Sequence, residues 1–275
     1  MTNRGRLEQA NDNAAAFWLA QARVHGWEFT SRPGFTAVRC ARDPADTHRV
    51  VLTRPYGPDG IEPLLAELAE LRKEWNTEHL ILEDPYSGLD LTGEGRESGL
   101  GMAVMVREPD APSIAELPPS LRLAGTPEAA SVEGATVGGV SAEGVSVAEV
   151  RGADELADLE RVVVDGFPIA PRQPWQRGVH LPPGLLAEPG YRAWLGRVDG
   201  APAAACMTYD NGETVGVYWV AVLPEYRSKG LGRVVLSAAL AAQPGRVTTL
   251  VATLLGEPLY RRLGFVERGV TRWWR

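Results

Sequence analysis

The stretch VYWVAVLPEYRSKGLGRVVLSAAL, residues 217–240, constrains the fold more than any other part of the sequence. It opens with an apolar run that is typical of a buried strand and ends at Pro224. A short basic loop with Gly230 and Gly232 follows, and Ala, Leu and Val residues then form a helical segment. The stretch therefore predicts a strand, a tight loop and a helix in direct succession.

This loop has the features of an anion site. The first N–H groups of a helix lack partners within the helix, and the helix dipole places partial positive charge there. Glycines let the backbone come close to a bulky anion, and Arg227 and Lys229 add positive charge, which suits a phosphate or pyrophosphate. Neither a Walker loop nor a dinucleotide fingerprint matches, because Lys229 precedes Gly230 and Val235 stands where a third glycine is required. A glycine-rich turn without a ligand is the alternative.

Two motifs in the right order carry a resemblance to a known family. The R-x-x-G-x-G pattern at residues 227–232, preceded by V-x-P at 222–224, resembles the acetyl-CoA-binding motif of the GCN5-related N-acetyltransferases (GNAT). The segment LYRRLGF at residues 259–265 is similar to the last helix and following strand of that family. A predicted strand separates the two motifs, and the resemblance covers residues 146–274.

The resemblance implies both a fold and an activity. The fold class is α/β (α+β), with a mixed, mostly antiparallel sheet flanked by helices, as in the acyl-CoA N-acyltransferase (GNAT) fold. The implied cosubstrate is acetyl-CoA, with no metal, and the acetyl group moves from the thioester to a primary amine. The acceptor, a small molecule or a peptide, is not identified by the sequence. The alternative function is a non-catalytic acyl-CoA-binding sensor or regulatory module.

The same resemblance implies which residues bind the cofactor. The backbone at the end of the strand, at Val220, Ala221 and Val222, pairs with the pantetheine arm in such proteins. The following loop and first helical turn hold the pyrophosphate. The loop residues concerned are Arg227, Ser228, Lys229, Gly230, Leu231, Gly232 and Arg233.

Tyr260 matches the tyrosine that, in the family, protonates the thiolate of CoA as it leaves. A core tyrosine at a helix–sheet junction is the alternative interpretation. Many relatives carry Asn seven residues before this tyrosine and Ala four residues before it, where this chain has Thr253 and Gly256. The cofactor-side hydrogen bond expected at Thr253 is therefore left open.

The remaining candidates concern the acceptor amine, which must lose a proton before it attacks. Glu213 is predicted to begin the strand that meets the cofactor, where some relatives keep a general base, although an exposed turn residue is the alternative. Trp219 and Trp175 are candidates for the acceptor pocket. Their alternatives are a core tryptophan and a solvated loop residue.

The chain divides by composition into three segments. Residues 1–109 and 145–275 each show alternating strand and helix patterns, which indicate an α/β or α+β arrangement around a mixed sheet. Residues 110–144 are rich in Pro, Gly, Ala and Ser, which predicts a linker. Within the first segment, a helix is predicted over 13–24, capped by Asn11 and Asp12, and another over 61–75.

The first segment is interpreted as a degenerate copy of the second, in a tandem arrangement. TRPYGPDGIEPLLAEL, residues 53–68, stands where a cofactor loop would be. Its glycine spacing is wrong, and its prolines remove amides that would otherwise point at phosphate. We therefore expect no cofactor site in residues 1–109. An unrelated small α/β domain is the alternative.

Composition excludes several classes of function. The formal net charge of −7 argues against a general nucleic-acid footprint. Four scattered histidines and two cysteines, Cys40 and Cys206, predict neither a metal site nor a disulfide scaffold. With no signal peptide and no membrane-spanning run, the sequence predicts a cytoplasmic protein, monomer or homodimer, with no membrane partner.

Overall fold

The computed structural model describes residues 5–40, 48–77, 80–111, 144–167 and 169–275. The chain forms two compact units. The first comprises Met1–Val106, Thr249–Tyr260 and Phe265–Arg275, and the second comprises Arg107–Thr248 and Arg261–Gly264. The domain boundaries predicted at 109 and 144 stay a prediction, and residues 112–143 of the predicted linker lie outside the described residues.

The first unit combines two long helices with an open sheet. The helices are α1 (Arg6–His25) and α2 (Pro58–Trp75). The strands are β1 (Glu28–Ser31), β2 (Phe35–Arg39), β3 (His48–Leu52), β4 (Leu80–Asp84), β5 (Met102–Arg107), β10 (Thr248–Ala252) and β11 (Val266–Trp274). They lie in the order β1-β2-β3-β4-β11-β5-β10. The β3–β4 pair is parallel, whereas β4–β11 and β11–β5 are antiparallel.

The second unit is built around four antiparallel strands in the order β9-β8-β7-β6. The strands are β6 (Val145–Glu149), β7 (Tyr191–Val198), β8 (Ala201–Asp210) and β9 (Val215–Val222). The helices α3 (Ala153–Gly166) and α4 (Leu231–Ala241) pack on this sheet, both of them against β8. A short helix, α5 (Glu257–Arg262), follows β10.

Helix α1 begins earlier than the sequence predicts. It begins at Arg6 after Gly5, whose N–H donates to the Glu8 carboxylate at 3.0 Å, so the predicted start after Asn11 and Asp12 is wrong. Asn11 lies buried inside the helix rather than at its end. The Ala-rich sequence extends the helix, and Glu8 at its third position completes the cap. The short strand β1 was not predicted from the sequence.

The core of the first unit includes a buried charge. The guanidinium of Arg49 lies over two indole rings, 4.3 Å from the centroid of Trp18 and 4.7 Å from that of Trp273. Arg49 also pairs with the buried carboxylate of Glu83. A buried cation persists when it is paired and packed in this way. Trp273 therefore packs within the fold.

The structure confirms the predicted mixed sheet flanked by helices. Helix α2 begins at Pro58, three residues earlier than expected, because proline is favoured at the first helical position. Asp43 and Pro44, a pair typical of a turn, lie outside the described residues. Among the helices that the structure describes, none is long and apolar enough to cross a membrane.

Candidate active site

Strand β9 carries an irregularity at the position where the sequence places the cofactor. Ala221 pairs with Ala205 and Tyr218 pairs with Met207, so Trp219 and Val220 together face Cys206. This extra residue is a β-bulge, and Trp219 takes a left-handed conformation with φ of 53°. A tryptophan rarely adopts that conformation, and such strain is concentrated at functional sites.

The loop after β9 leads into an uncapped helix. Ser228 and Gly230 both have left-handed backbones, with φ of 60° and 81°. Gly230 is the N-cap of α4 and makes no side-chain cap hydrogen bond to this helix end. The carbonyl of Gly230 accepts from the N–H groups of Arg233 and Val234, which closes the first turn. The helix therefore presents its N-terminal amides in the manner of an anion site.

Arg227 fixes the start of this loop to helix α3. Its Nε donates to the carbonyl of Val222 at 3.1 Å, and its Nη2 donates to the carbonyl of Gly166 at 2.6 Å. Gly166 lies close to β9, since a Cβ placed on it would be 3.2 Å from the Cβ of Ala221. The guanidinium that the sequence assigned to the cofactor thus joins the end of α3 to the end of β9.

The positive charge beside α4 comes from other residues. The ammonium of Lys229 lies 5.6 Å from the ring centroid of Tyr226. Burial, and secondly the nearby charge of Arg262, lower the pKa of Arg233. Arg233 and Arg262 therefore lie close enough to repel, and a bound anion would relieve that repulsion. Arg262 was missed in the sequence, although it belongs to the second motif.

Helix α5 places Tyr260 in a buried position, with its ring 6.1 Å from that of Phe265. Gly256 gives the ring its space, because a Cβ on Gly256 would lie 2.8 Å from Cε2 of Tyr260. The hydroxyl of Thr253 accepts from the Gly256 N–H at 3.2 Å, and the Thr253 carbonyl accepts from Glu257 N–H. Thr253 therefore starts the helix that carries Tyr260.

Glu213 lies in a turn rather than on β9. The strand begins at Val215, so the prediction that Glu213 begins it is wrong. The Asn211 side chain accepts from the N–H groups of Glu213 and Thr214 at 3.1 and 2.9 Å, which holds the turn. An extended strand rises about 3.3 Å per residue, so Val215, the first residue of β9, lies roughly 16 Å along the strand from Val220. The role of Glu213 as the base for the acceptor amine stays a prediction.

Glu160 organises the loop that contains Trp175. This carboxylate is fully buried on α3 and accepts hydrogen bonds from four N–H groups. The donors are Nε1 of Trp175 at 3.1 Å and the backbone amides of Gly178, His180 and Leu181 at 2.7, 2.7 and 2.8 Å. Trp175 thus anchors the loop through its indole N–H. Glu160 was missed because only its place in the apolar stripe of α3 marks it.

Trp219 lies in a group of rings. Its ring centroid is 5.6 Å from that of Phe167 and 4.9 Å from that of His180, both in edge-to-face geometry. Trp219 is half-buried, so it is neither a core tryptophan nor fully solvated. For metals, the described residues contain no group of three or more His, Cys, Asp or Glu able to hold an ion.

Comparisons with known proteins agree with this geometry. A family model described as "Acetyltransferase (GNAT) domain" matches residues 189–267, which include β9, the loop, α4 and α5. No curated protein sequence matches the chain. Among solved structures, the GCN5-related N-acetyltransferase from Kribbella flavida is 18% identical, with a TM-score of 0.59. The match covers 96% of this chain and 94% of that one.

Two further structures are similar over most of the chain. One is the GCN5-related N-acetyltransferase from Sphaerobacter thermophilus, 15% identical, covering 88% of this chain and 76% of that one at a TM-score of 0.55. The other is a tandem GNAT protein from the clavulanic acid biosynthesis pathway, 15% identical, covering 87% and 77% at a TM-score of 0.55. At such identities the likeness establishes the fold. The chain therefore has the GNAT fold, and its residues 189–267 are similar to the acetyltransferase (GNAT) domain that the family model describes.

Proposed function

We propose that the protein is an acetyl-CoA-dependent N-acetyltransferase that acts on a primary amine. The observation that supports this most is the end of β9 and the start of α4. There, a bulged strand leads into an uncapped helix N-terminus with left-handed Ser228 and Gly230. Arg233 and Arg262 add positive charge close by. This arrangement suits a pyrophosphate, and acetyltransferases of this family generally use acetyl-CoA.

Acetyl-CoA, when bound, supplies an acyl thioester. The amides of the first turn of α4, with Lys229, Gly230, Leu231 and Gly232, hold its pyrophosphate, and the Arg233 side chain adds charge. The bulge supplies backbone groups at Val220 and Ala221 for the pantetheine arm. Arg227 and the Val222 carbonyl bond to each other, so Arg227 acts as a brace for the loop. Positioning and preorganised backbone hydrogen bonds supply much of the rate in such a site.

Tyr260 donates the proton that the departing thiolate requires. Its hydroxyl is carried by α5, whose first turn Thr253 organises. Glu213 is the candidate base for the acceptor amine and, from the turn before β9 that holds it, would act through water. Trp219 and the loop that Trp175 anchors border the acceptor amine.

Residues 1–109 are proposed to be a non-binding copy of the same fold. Their long helix α2 begins at Pro58, and proline has no N–H to offer an anion. A similar protein is described as a tandem GNAT protein. For the whole chain we propose a cytoplasmic monomer or homodimer that binds neither nucleic acid nor membrane.

The test is thermal unfolding with and without acetyl-CoA, on the wild type and on Gly230→Glu. A ligand that binds only the folded state stabilises it by about 2.7 kcal/mol at a hundred times its dissociation constant. We expect a clear upward shift of Tm in the wild type and none in Gly230→Glu. That variant puts a carboxylate at the anion site and a side chain at a left-handed position.

Gly57→Glu is the matched control, since Gly57 is the N-cap of α2 with φ of −81°. A Cβ on Gly57 meets no atom within 4 Å, so this variant should fold and keep the full acetyl-CoA shift. Equal shifts in all three proteins would contradict the assignment of the α4 site. A shift without turnover on any amine would instead indicate the non-catalytic acyl-CoA sensor.

A further inference from the structure

Three rings meet at the bulge of β9. Trp219, in the bulge itself, has Phe167 and His180 against it in edge-to-face contacts. Phe167 stands at the C-terminal end of α3 and is 37% exposed, which is high for a phenylalanine. Trp219 thus places the cluster on strand β9, where the reaction is proposed, and Phe167 leaves an apolar surface open to solvent.

The position of His180 is fixed by the buried carboxylate of Glu160. His180 N–H donates to Oε1 at 2.7 Å, and its neighbours in the loop bond to the same carboxylate. Hydrogen bonds to an ionised group are stronger than those between neutral groups. Because α3 carries both Glu160 and the end that precedes Phe167, one helix sets the positions of both rings beside Trp219. The ring cluster is therefore a preformed surface.

Several charged groups on α3 and in the adjoining loops are engaged within the protein. Glu160 accepts from four N–H donors, and Arg227 donates to two backbone carbonyls. Arg177 pairs with Asp154, and Arg161 pairs with Asp165 at 3.5 Å. Recognition at the rings therefore depends on apolar and stacking contacts. At the rings, a ligand carboxylate would lose its hydration, and none of these four paired groups would be left to bind it.

We infer that Phe167, His180 and Trp219 form the acceptor site, and that it takes a primary amine attached to an aromatic or flat apolar body with no carboxylate beside the amine. This deepens the proposed function and rests on it. Offset or edge-on packing of a ligand ring against Phe167 and Trp219 holds the body of the acceptor. The amino group then lies towards the bulge, beside Val220.

The test compares three amines that differ in one feature each. The first is 2-phenylethylamine; the second is L-phenylalanine, which adds a carboxylate; the third is 2-aminoethanol, which lacks the ring. Release of the CoA thiol is followed for each, and the binding of each amine to the CoA-saturated protein is measured by calorimetry. We expect kcat/KM for 2-phenylethylamine to exceed the other two by about tenfold or more.

The variant Phe167→Ala removes the exposed ring of the cluster. It should raise KM for 2-phenylethylamine about tenfold while leaving the acetyl-CoA thermal shift unchanged. The matched control is Phe29→Ala, since Phe29 is 50% exposed on β1 in the first unit. That control should change none of these measurements.

The outcomes separate this inference from the proposed function. Equal use of the three amines, or no greater effect of Phe167→Ala than of Phe29→Ala, overturns the inference while transferase activity stands. The same holds if calorimetry detects no binding of 2-phenylethylamine. Absence of both an acetyl-CoA shift and thiol release, with ring-dependent binding of the amine retained, contradicts the proposed function and leaves the ring site supported as a binding site.

Discussion

Two helices of this chain begin after a strand and a proline-containing loop, and their first turns differ. Helix α2 in the first unit follows Gly57, which is extended at φ of −81°, and has Pro58 at its start. Helix α4 in the second unit follows Gly230, which is left-handed at φ of 81°. One start removes an amide, whereas the other turns the backbone so that successive amides converge.

The charged groups near the starts of α2 and α4 also differ. Arg54, before α2, donates to Asp12 at 2.7 Å, and the Tyr56 hydroxyl donates to the buried Asp84 at 2.7 Å. Burial and that carboxylate raise the pKa of Tyr56. Beside α4, in contrast, Arg233 has another arginine, Arg262, as a neighbour. A strand, a loop and a helix in succession therefore make an anion site only where the first amides of the helix and nearby positive charges remain available to a ligand.

The largest loss of stability is expected at Asp84, which pairs with Tyr56 of the loop between β3 and α2, here called the first loop. Asp84 accepts from Tyr56 Oη and from the amides of Tyr86 and Leu89. Asp84→Ala should lower the free energy of unfolding by about 3 kcal/mol, because it leaves buried donors without an acceptor. The dissociation constant for acetyl-CoA should stay unchanged.

Urea denaturation and a calorimetric titration with acetyl-CoA measure the two quantities. Asp84→Asn serves as the control, since it keeps one acceptor oxygen and should lose less stability. The comparison breaks down if Asp84→Ala folds but binds acetyl-CoA about tenfold more weakly. The first loop would then contribute to the ligand site.

The next test compares Tyr260, on α5, with Tyr56, in the loop before α2. Tyr260→Phe should lower turnover about a hundredfold, the lower end for loss of a general acid, and leave acetyl-CoA affinity unchanged. Tyr56→Phe, which removes the hydroxyl in the first loop, should leave turnover unchanged. Steady-state kinetics with the best amine and a binding titration separate these effects. Equal turnover of Tyr260→Phe and the wild type would remove the assigned role of Tyr260.

Much of this comparison could be predicted from sequence because it depends on local chemistry. Prolines at 55, 58 and 63 and the glycine spacing at 230–232 are visible in the chain, and so are the strand and helix patterns. The bulge at Trp219 was not, because a register shift depends on the partner strand β8 rather than on β9 alone.

Long-range partners account for the other differences. Arg227 is chemically suited to a phosphate, and only the structure shows that it also bonds to the carbonyls of Gly166 and Val222. Glu160 has its donors 15 to 21 residues away, so its place in an apolar stripe was the sole sequence signal. For Phe167, no pattern in the sequence indicated a role in the site.

Gly256 sharpens the assignment of Tyr260. A Cβ at this position would lie 2.8 Å from the ring, so Gly256→Ala should displace the phenol. We expect turnover to fall about tenfold, since small displacements of a catalytic group are costly, with acetyl-CoA affinity unchanged. Gly93→Ala is the control, because a Cβ there meets nothing within 4 Å. Turnover equal in both variants would mean that the ring position does not limit the reaction.

The two arginines test the other side of the comparison. Arg262→Gln should raise the dissociation constant of acetyl-CoA about tenfold, as expected for one charge-assisted contact, without destabilising the free protein. Relief of repulsion should raise the pKa of Arg233. Arg54→Gln, in the first loop, should leave the affinity unchanged. Titration with acetyl-CoA at two salt concentrations measures the affinity of each variant, and equal affinities for the two variants would contradict the assignment of positive charge to α4.

The smallest effect is expected from a paired carboxylate within the second unit, away from the loop. Hydrogen bonds from Arg192, aided by the charges of Arg192 and Arg151, lower the pKa of Glu149. Because the folded-state pKa is lower, ionised Glu149 contributes stability above its unfolded value of about 4.5. That stability, ~1 kcal/mol or less for a partly exposed pair, is lost as the pH falls through the folded pKa.

Glu149→Gln should therefore lower Tm near neutral pH and flatten its fall below pH ~4.5. Thermal unfolding of both proteins across the acidic range measures this difference. Since the pair lies on β6 and β7, the acetyl-CoA shift of Tm near neutral pH should be the same in both. If Glu149→Gln loses the acetyl-CoA shift of Tm, charges outside the start of α4 also govern the anion site. The difference in ligand binding between the starts of α2 and α4 would then not depend on their loops alone.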